Sequence, residues 1–476
     1  MSNLRGLWFS NSFINILGGF VSAIVSLLLP AVVVNYLGPE SFSVWTLALQ
    51  VVVYVNLLSL GLQNSTARMV AHEMNSSYPS ETRLSQIAHA ARNISYWASS
   101  VSIILVLILV VCYPLIFSGV NDYLIGTFRI TLFIFGVAAI LQILVQADMG
   151  VFQGLHRNVI FVSVQTFARV LSLLFVWLGV YMEKSIMILA SLMTLAMLLQ
   201  WPLMRWASLT WVSWENRNPK VNVNKGIRKD LLHYCGTFSV WSVSMLLVNS
   251  IGILVVGYQD FRMAGSYALA MTVVSVVVGL FGAFLSPLLT TTAALYADEK
   301  SKKQLPNLLT FTTLIVGLFL NIVITLSICF YPEIIQIWLG KSQIDTVGPL
   351  MIILISGHCL RNIVAPYALM LIGTGLNKRA LTSAILEGVA NLIASVVFGL
   401  KWGAIGAASG TLLGSLVGVA GTLLINTFRT PELTPNPLKF ALLGVFIPII
   451  LFIPIDIYFI LTKEIFEIKN FSSFKH

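Results

Sequence analysis

The sequence predicts an all-α protein that crosses a membrane many times, and three observations lead to this fold class. Of the 476 residues, 57% are hydrophobic and 10% are charged, whereas about 25% of the residues in ordinary soluble domains are charged. The apolar residues form runs of about 20 or more, the length that a helix needs to cross the hydrocarbon core. These runs are longer than the roughly ten-residue alternating strands of a membrane barrel, so we expect helices.

The apolar runs form two series of six, with a long polar stretch between them. This stretch, 206–231, is the predicted cytoplasmic linker between an N-terminal six-helix lobe, 1–205, and a C-terminal six-helix lobe, 232–426. The tail, 427–476, holds one extra apolar segment, 440–461, and the sequence leaves open whether this segment crosses the membrane. The predicted spans are 8–34, 44–66, 93–117, 128–152, 159–181, 186–205, 232–257, 266–292, 309–331, 349–373, 381–400 and 404–426.

Lysine and arginine are distributed unequally between alternate loops. Before the extra apolar segment, the loops on the side of the N-terminus hold 18 of them and the opposite loops hold five. Because cytoplasmic loops are enriched in positive charge, we expect the N-terminus to lie in the cytoplasm. The net charge of +10 therefore reflects the loops, and no nucleic-acid partner is predicted.

The two series of spans resemble each other in sequence. The stretch YLGPESFSVWTLA, 36–48, aligns with YQDFRMAGSYALA, 258–270, at an offset of 222 residues. FQGLHRN, 152–158, aligns with GTGLNKR, 373–379, at an offset of 221 residues. Two matches at nearly one offset favour duplication over chance. Six spans per repeat would give both bundles the same orientation, related by a pseudo-twofold axis along the membrane normal, with a cleft between them.

Enzyme and cofactor chemistry has little support in the sequence. The four cysteines stand singly in apolar segments, so neither a zinc site nor a disulfide framework is indicated. Gly-Lys-Ser at 340–342 lacks the first glycine of a phosphate-binding loop, since Ile335 stands in its place. We therefore predict a protein that is not an enzyme, with no catalytic residue, no metal and no cofactor.

Several ionisable residues lie inside predicted spans, where a charge costs at least about 2.5–3.5 kcal/mol at the centre. Arg169 and Arg361 lie deepest, and their planar guanidinium groups suit a phosphate or pyrophosphate group in the cleft. Alternatively, Arg169 pairs with Asp148 and Arg361 pairs with Glu387 as structural ion pairs. The candidate substrate-binding residues are Arg169, Arg361, Arg68 and His358, and the candidates for ion coupling or structural pairing are Asp148 and Glu387.

Two of these candidates also have a simpler interpretation. His358 stands one helical turn before Arg361 and is more typical of a satisfied buried histidine than of a ligand-binding residue. Arg68 lies at the end of the second span, at a depth where anchoring at the interface is a sufficient role.

The first hairpin resembles a known family. The run from Asn35 to Glu73 contains LGP-x-x-F-x-x-W and then LGL with a polar end that includes Arg68. It is similar to the oligosaccharide and polysaccharide flippases of the multidrug/oligosaccharidyl-lipid/polysaccharide exporter superfamily, those of O-antigen clusters above all. Many relatives carry Asp before LGL, whereas this chain has Ser59, which puts ion coupling at that position in doubt.

The resemblance implies a function and a setting. It implies a flippase that moves an undecaprenyl-diphosphate-linked oligosaccharide outward through a cationic cleft by alternating access. It also implies a multi-pass protein of the bacterial cell inner membrane with a role in O-antigen, and hence lipopolysaccharide, biosynthesis. The implied partners are the lipid-linked oligosaccharide and the lipid bilayer, with a polysaccharide polymerase and a chain-length regulator as further candidates.

Two rival functions are distinguishable by sequence features. A drug or cation exporter of the same superfamily would favour carboxylates and aromatic rings in its pocket, whereas the deepest charges here are arginines. A polysaccharide polymerase or ligase would need a large outer loop to carry its reactive residues. The longest predicted outer loop, about 331–348, is too short to build such a site.

Overall fold

The structure is a computed structural model, and it describes residues 2–59, 61–74, 78–117, 120–155, 157–212, 224–297, 300–452 and 454. Within these ranges every regular element is helical. Part of the predicted linker, 213–223, lies outside the described residues. So do residues 453 and 455–461 of the extra apolar segment and the tail lysines Lys463, Lys469 and Lys475.

Ten helical stretches of the described chain are long and apolar enough to cross a membrane. Two of them hold two predicted spans each, because Gly38 and the pair Trp402–Gly403 interrupt the helical geometry. The predicted all-α, polytopic fold is therefore confirmed. The helices are α1 (Ser2–Asn56), α2 (Leu62–Met74), α3 (Glu81–Ile116), α4 (Asp122–Gly154), α5 (Asn158–Tyr181), α6 (Ile186–Leu198), α7 (Gln200–Trp211), α8 (Lys225–Gln259), α9 (Phe261–Ala297), α10 (Leu305–Leu339), α11 (Ile344–Asn362), α12 (Ala365–Gly373), α13 (Leu381–Gly421) and α14 (Pro437–Phe452).

The second predicted span, 44–66, is not one continuous helix. Helix α1 ends at Asn56, a 3₁₀ turn covers Leu57–Ser59, and α2 begins at Leu62. Gly61 lies between them with φ at 64°, a backbone conformation that glycine adopts at no steric cost. The expectation of a single helix was wrong here because apolar content alone does not show this turn.

The predicted span 349–373 is interrupted in the same way. Helix α11 ends at Asn362 and α12 begins at Ala365. Pro366 follows at once, and because it has no N–H it cannot donate to the carbonyl of Asn362. The interruption is adjacent to Arg361, one of the predicted site residues. Broken helices at membrane depth commonly mark binding sites in transporters.

The chain divides into two compact units. The first consists of Met1–Leu246 and Val256–Ala268, and the second consists of Leu247–Val255 and Leu269–His476. In the first unit α4 packs against α1, α2, α3 and α6. Trp45 of α1 contacts Phe135 of α4 edge-on, with 5.0 Å between ring centroids.

In the second unit the two arms of α13, on either side of the break at Gly403, pack closely together. A Cβ atom on Gly418 would lie 2.6 Å from the Glu387 carboxyl carbon. Rows of small residues let helix backbones approach in a membrane, where lipid offers no hydrophobic driving force between helices. The glycines of the second arm lie against polar residues of the first: Gly410 on Ser395, Gly414 on Asn391 and Gly418 on Glu387.

Helix boundaries recur along the chain at the offset that the sequence repeat shows. Helix α4 begins at Asp122 and α11 at Ile344, 222 positions later. Glu40 and Arg262, also 222 positions apart, form an ion pair of 2.8 Å inside the first unit. Nearby, the Gly265 N–H donates to Ser43 Oγ at 3.1 Å, again across 222 positions. The recurrence of boundaries and the contact between matching segments support a duplication.

Candidate functional site

Arg169 lies on the face of α5 that packs into the first unit. Val162, two turns earlier on the same face, lies against Gly18 of α1, and a Cβ on that glycine would be 2.6 Å from Val162 Cγ1. Gln165, one turn before Arg169, donates from Nε2 to Met149 Sδ of α4 at 3.4 Å. Residues three, four and seven apart share a helix face, so Arg169 points toward the side where α1 and α4 lie.

The opposite face of α5 carries large apolar side chains. Phe167, Leu174 and Leu178 are exposed, as expected of residues that contact lipid. Phe167 and Arg169 are two residues apart, which places them about 200° apart around a helix of 3.6 residues per turn. Arg169 is nevertheless exposed. Its guanidinium group therefore extends from the face of α5 opposite to Phe167.

Arg169 forms no ion pair with the residues that the structure describes. The alternative in which Arg169 pairs with Asp148 is therefore wrong for this part of the chain. Arg169 stands 11 residues after the start of α5 at Asn158, which is about 16 Å into the helix and near the midplane of a core about 30 Å thick. A charge at that depth must be hydrated or neutralised by a ligand.

Asp148 has a different arginine partner. Arg92 Nε and Nη2 of α3 both donate to Asp148 Oδ1, at 2.9 and 2.6 Å, and Arg205 Nη1 lies 3.8 Å from the same oxygen. The exposed fractions of the Arg92 and Asp148 side chains are 8% and 2%. Such a buried, charge-paired cluster is typical of a structural role within the first unit.

The predicted third span, 93–117, begins one residue after Arg92, so this pairing role was not predicted. Helix α3 begins at Glu81, with Ser80 as the N-cap residue, so Arg92 lies three helical turns inside it. The N-cap Ser80 followed by acidic Glu81 is the sequence signal that could have placed the helix start correctly.

Arg361 forms the other predicted ion pair. Its Nε lies 2.8 Å from Glu387 Oε1, and the exposed fractions of the two side chains are 19% and 8%. Arg361 Nη1 donates to Asn249 Oδ1 of α8 at 3.3 Å, and Asn249 is itself exposed. The ion pair that the sequence offered as the structural alternative for Arg361 is therefore present. The guanidinium group still reaches the surface of the second unit beside the break between α11 and α12.

His358 is buried one turn before Arg361. Its exposed fraction is 2%, and its Nε2 has no hydrogen-bond partner among the described residues. The prediction of a satisfied buried histidine is therefore only half met, because the ring is buried but one nitrogen is unpaired. Glu387, on the neighbouring helix, continues a polar row in which Asn391 Nδ2 donates to the Val248 carbonyl at 2.9 Å.

Arg68 occupies a surface position in the first unit. It lies in the middle of α2, and its guanidinium carbon is 4.8 Å from the centroid of the Tyr234 ring of α8. A cation–π contact of this kind contributes about 0.5–1 kcal/mol at an exposed site. The contact fits an anchoring role and leaves the donors of Arg68 accessible.

The described chain contains many apolar helices, several interrupted spans, and charged groups inside those spans. These features define its class: a multi-pass membrane protein with a transporter fold. Several solved structures share this fold. Their sequence identity to this chain is low, so the likeness establishes the fold and nothing about function. A lipid II flippase MurJ in an inward closed conformation is 15% identical, with a TM-score of 0.69, covering 98% of this chain and 100% of that one. An inward-facing multidrug resistance MATE family transporter of the MOP superfamily is 16% identical, with a TM-score of 0.68, covering 89% and 99%.

The sequence itself identifies the family. A model of the family described as polysaccharide biosynthesis protein matches residues 9–289. That is more than half of the chain, so this protein belongs to the family, and the resemblance inferred from the first hairpin is confirmed at the level of the family. No curated protein matches the chain. A MOP superfamily transporter from Pyrococcus furiosus also shares the fold, at 17% identity and a TM-score of 0.60, covering 88% of this chain and 95% of that one.

Proposed function

We propose that the protein is a flippase for an undecaprenyl-diphosphate-linked oligosaccharide, the repeat unit of O-antigen or a similar surface polysaccharide. It would carry this substrate from the cytoplasmic leaflet to the outer leaflet of the bacterial inner membrane by alternating access, with its own N-terminus in the cytoplasm. The lobes 1–205 and 232–426, joined by the linker 206–231, would be the moving parts.

The observation that carries the proposal is the environment of Arg169. Its charge lies near mid-membrane, has no ion-pair partner among the described residues, and faces away from the lipid-contacting side of α5. A diphosphate group supplies the negative charge that such a guanidinium lacks, and arginine binds phosphate oxygens through two parallel hydrogen bonds. Arg361, whose Nε is engaged by Glu387, is a weaker candidate for the same role.

Family membership and fold supply independent support. The family is one of polysaccharide biosynthesis, and one solved relative is a flippase of lipid II. A lipid-linked saccharide is the substrate class compatible with both. A polysaccharide polymerase and a chain-length regulator remain proposed partners.

A drug exporter is the second candidate, because multidrug transporters share the fold. The sign of the charge within the spans favours the flippase. For the MOP superfamily transporter from Pyrococcus furiosus, reverse polarity of the binding pocket is said to suggest a different function. Arg169, which has no ion-pair partner within the described ranges, would repel the cationic compounds that carboxylate and aromatic pockets attract.

A deletion strain tests the proposal. Loss of the gene should leave lipid-linked repeat units on the cytoplasmic leaflet and none on the outer leaflet, and a plasmid copy should restore export. Single repeats that reach the outer leaflet but stay unpolymerised would instead identify a polymerase. Normal surface polysaccharide together with increased sensitivity to cationic drugs would identify a drug exporter.

A further inference from the structure

The second unit carries a groove between the first turns of α10 and α14. Its volume is about 520 Å³. On α10 it is lined by residues at helical spacing, Asn307, Thr310 and Leu314, which form one ridge. On α14 the matching ridge contains Lys439 and Leu443. Both helices start at the same end of the groove, so their first residues form its mouth.

The groove changes from polar to apolar along its length. At the mouth lie Asn307, Asn436 and Lys439, whose side chains can donate hydrogen bonds. Further along both helices the lining consists of apolar side chains, among them Leu314 and Leu443. This order matches an amphiphilic molecule with a polar head at the mouth and an apolar chain inside.

The lining of the groove reaches part-way across one leaflet of a bilayer. From Asn307 to Leu314, the last lining residue on α10, is seven residues, or about 10 Å at 1.5 Å per residue. Half of a hydrocarbon core about 30 Å thick is about 15 Å. Residues outside the lining bring the two helices into contact, because a Cβ on Gly444 would lie 3.3 Å from Thr313 Cγ2 and a Cβ on Gly317 would lie 2.6 Å from Pro448 Cγ. A chain that entered at the mouth would therefore lie within the same leaflet.

The charge at the mouth is positive. Lys439 is exposed, as is Lys303 one turn before Asn307. The acidic residue in the preceding loop, Glu432, is already paired with Arg379 at 3.2 Å, so it does not neutralise Lys439. Lys303 and Lys439 lie on the side of the membrane that the distribution of lysine and arginine assigns to the cytoplasm. Anionic lipids of that leaflet attract basic residues.

From these observations we propose that the groove is a binding site for one anionic phospholipid of that leaflet. The phosphate lies at Lys439 within reach of the Asn307 and Asn436 amides, and one acyl chain runs between Leu314 and Leu443. The site is separate from Arg169, Arg361 and the flippase function proposed above. It couples α14, part of the extra apolar segment, to the lipid composition of the membrane.

The test compares binding of phosphatidylglycerol and phosphatidylcholine with identical chains to the purified full-length protein, by native mass spectrometry and by thermal unfolding in detergent. The wild type should bind phosphatidylglycerol at least about five-fold more tightly, the factor expected of one basic residue near a phosphate. Lys439→Gln should abolish this preference. Lys341→Gln, which removes an exposed lysine beyond the opposite end of α10, is the matched control and should leave the preference unchanged.

A second variant tests the acyl-chain part of the site. Leu443→Trp adds bulk to the groove lining without touching Lys439, and we expect it to weaken binding of both lipids while the protein unfolds at the wild-type temperature. Equal affinity of the wild type for the two lipids would overturn the proposal, as would equal effects of the Lys439 and Lys341 variants. Preferential binding of undecaprenyl phosphate over phosphatidylglycerol would assign the groove to the substrate's chain instead.

Discussion

Removal of either partner from the Arg361–Glu387 ion pair should destabilise the protein, but by unequal amounts. Arg361→Ala leaves a carboxylate that is 8% exposed, and an uncompensated buried charge of this kind costs about 3–5 kcal/mol. Glu387→Gln leaves a guanidinium that is 19% exposed and still donates to Asn249. That change should cost about 1–3 kcal/mol, the range for a buried polar group that loses its partner.

The double variant Arg361→Met with Glu387→Leu should recover most of the loss, because replacing both members of a buried pair by apolar residues is often neutral. The free energy of unfolding in mixed detergent micelles measures all three variants. A Glu387→Gln variant less stable than Arg361→Ala, or a double variant as unstable as the sum of the single changes, would refute this reasoning.

The same three variants separate structure from function when surface polysaccharide is measured in a deletion strain. If Arg361 binds substrate, the double variant regains stability but not export. If the pair is only structural, stability and export return together. The comparison thus decides between the two alternatives that the sequence leaves open for Arg361.

Further predictions concern the rest of the fold. Arg92→Ala should cost about 3–5 kcal/mol by leaving Asp148 buried without its closest partner, seen as loss of monodisperse protein in size-exclusion chromatography, whereas wild-type yield would contradict it. Gly418→Ala should cost about 1–3 kcal/mol through overpacking, because its Cβ would lie 2.6 Å from the Glu387 carboxyl carbon; Gly126→Ala, with nothing within 4 Å, is the control for the thermal unfolding measurement. Pro366→Ala restores an N–H for the Asn362 carbonyl, so we expect unchanged or higher thermal stability with reduced polysaccharide export; undiminished export would remove the helix break from the mechanism.

Hydropathy predicted most of the spans, because the membrane imposes an apolar composition on every segment that crosses it. It did not predict the breaks at Gly61 and Pro366. A single glycine or proline changes the backbone without changing the mean hydropathy of a 20-residue window, so only local conformational rules reveal it.

The candidate site shows a similar division. Depth along a helix offered Arg361 and Glu387 as a structural pair alongside a substrate-binding role, and the pair is present in the structure. It could not show that Asp148 pairs with Arg92, since that contact joins residues 56 positions apart and depends on how α3 packs against α4. Nor could it show that Arg169 lacks an ion-pair partner among the described residues, because that follows from the placement of every neighbouring side chain.

The central claim is that Arg169 borders a water-accessible path rather than lipid. Thiol accessibility tests it directly, in a background where Cys112, Cys235, Cys329 and Cys359 are replaced by alanine. A charged, membrane-impermeant maleimide should label the Arg169→Cys variant and leave the Leu174→Cys variant, on the apolar face of α5, unlabelled. Equal resistance of both positions to the reagent, in variants that elute as folded, monodisperse protein, would contradict the account.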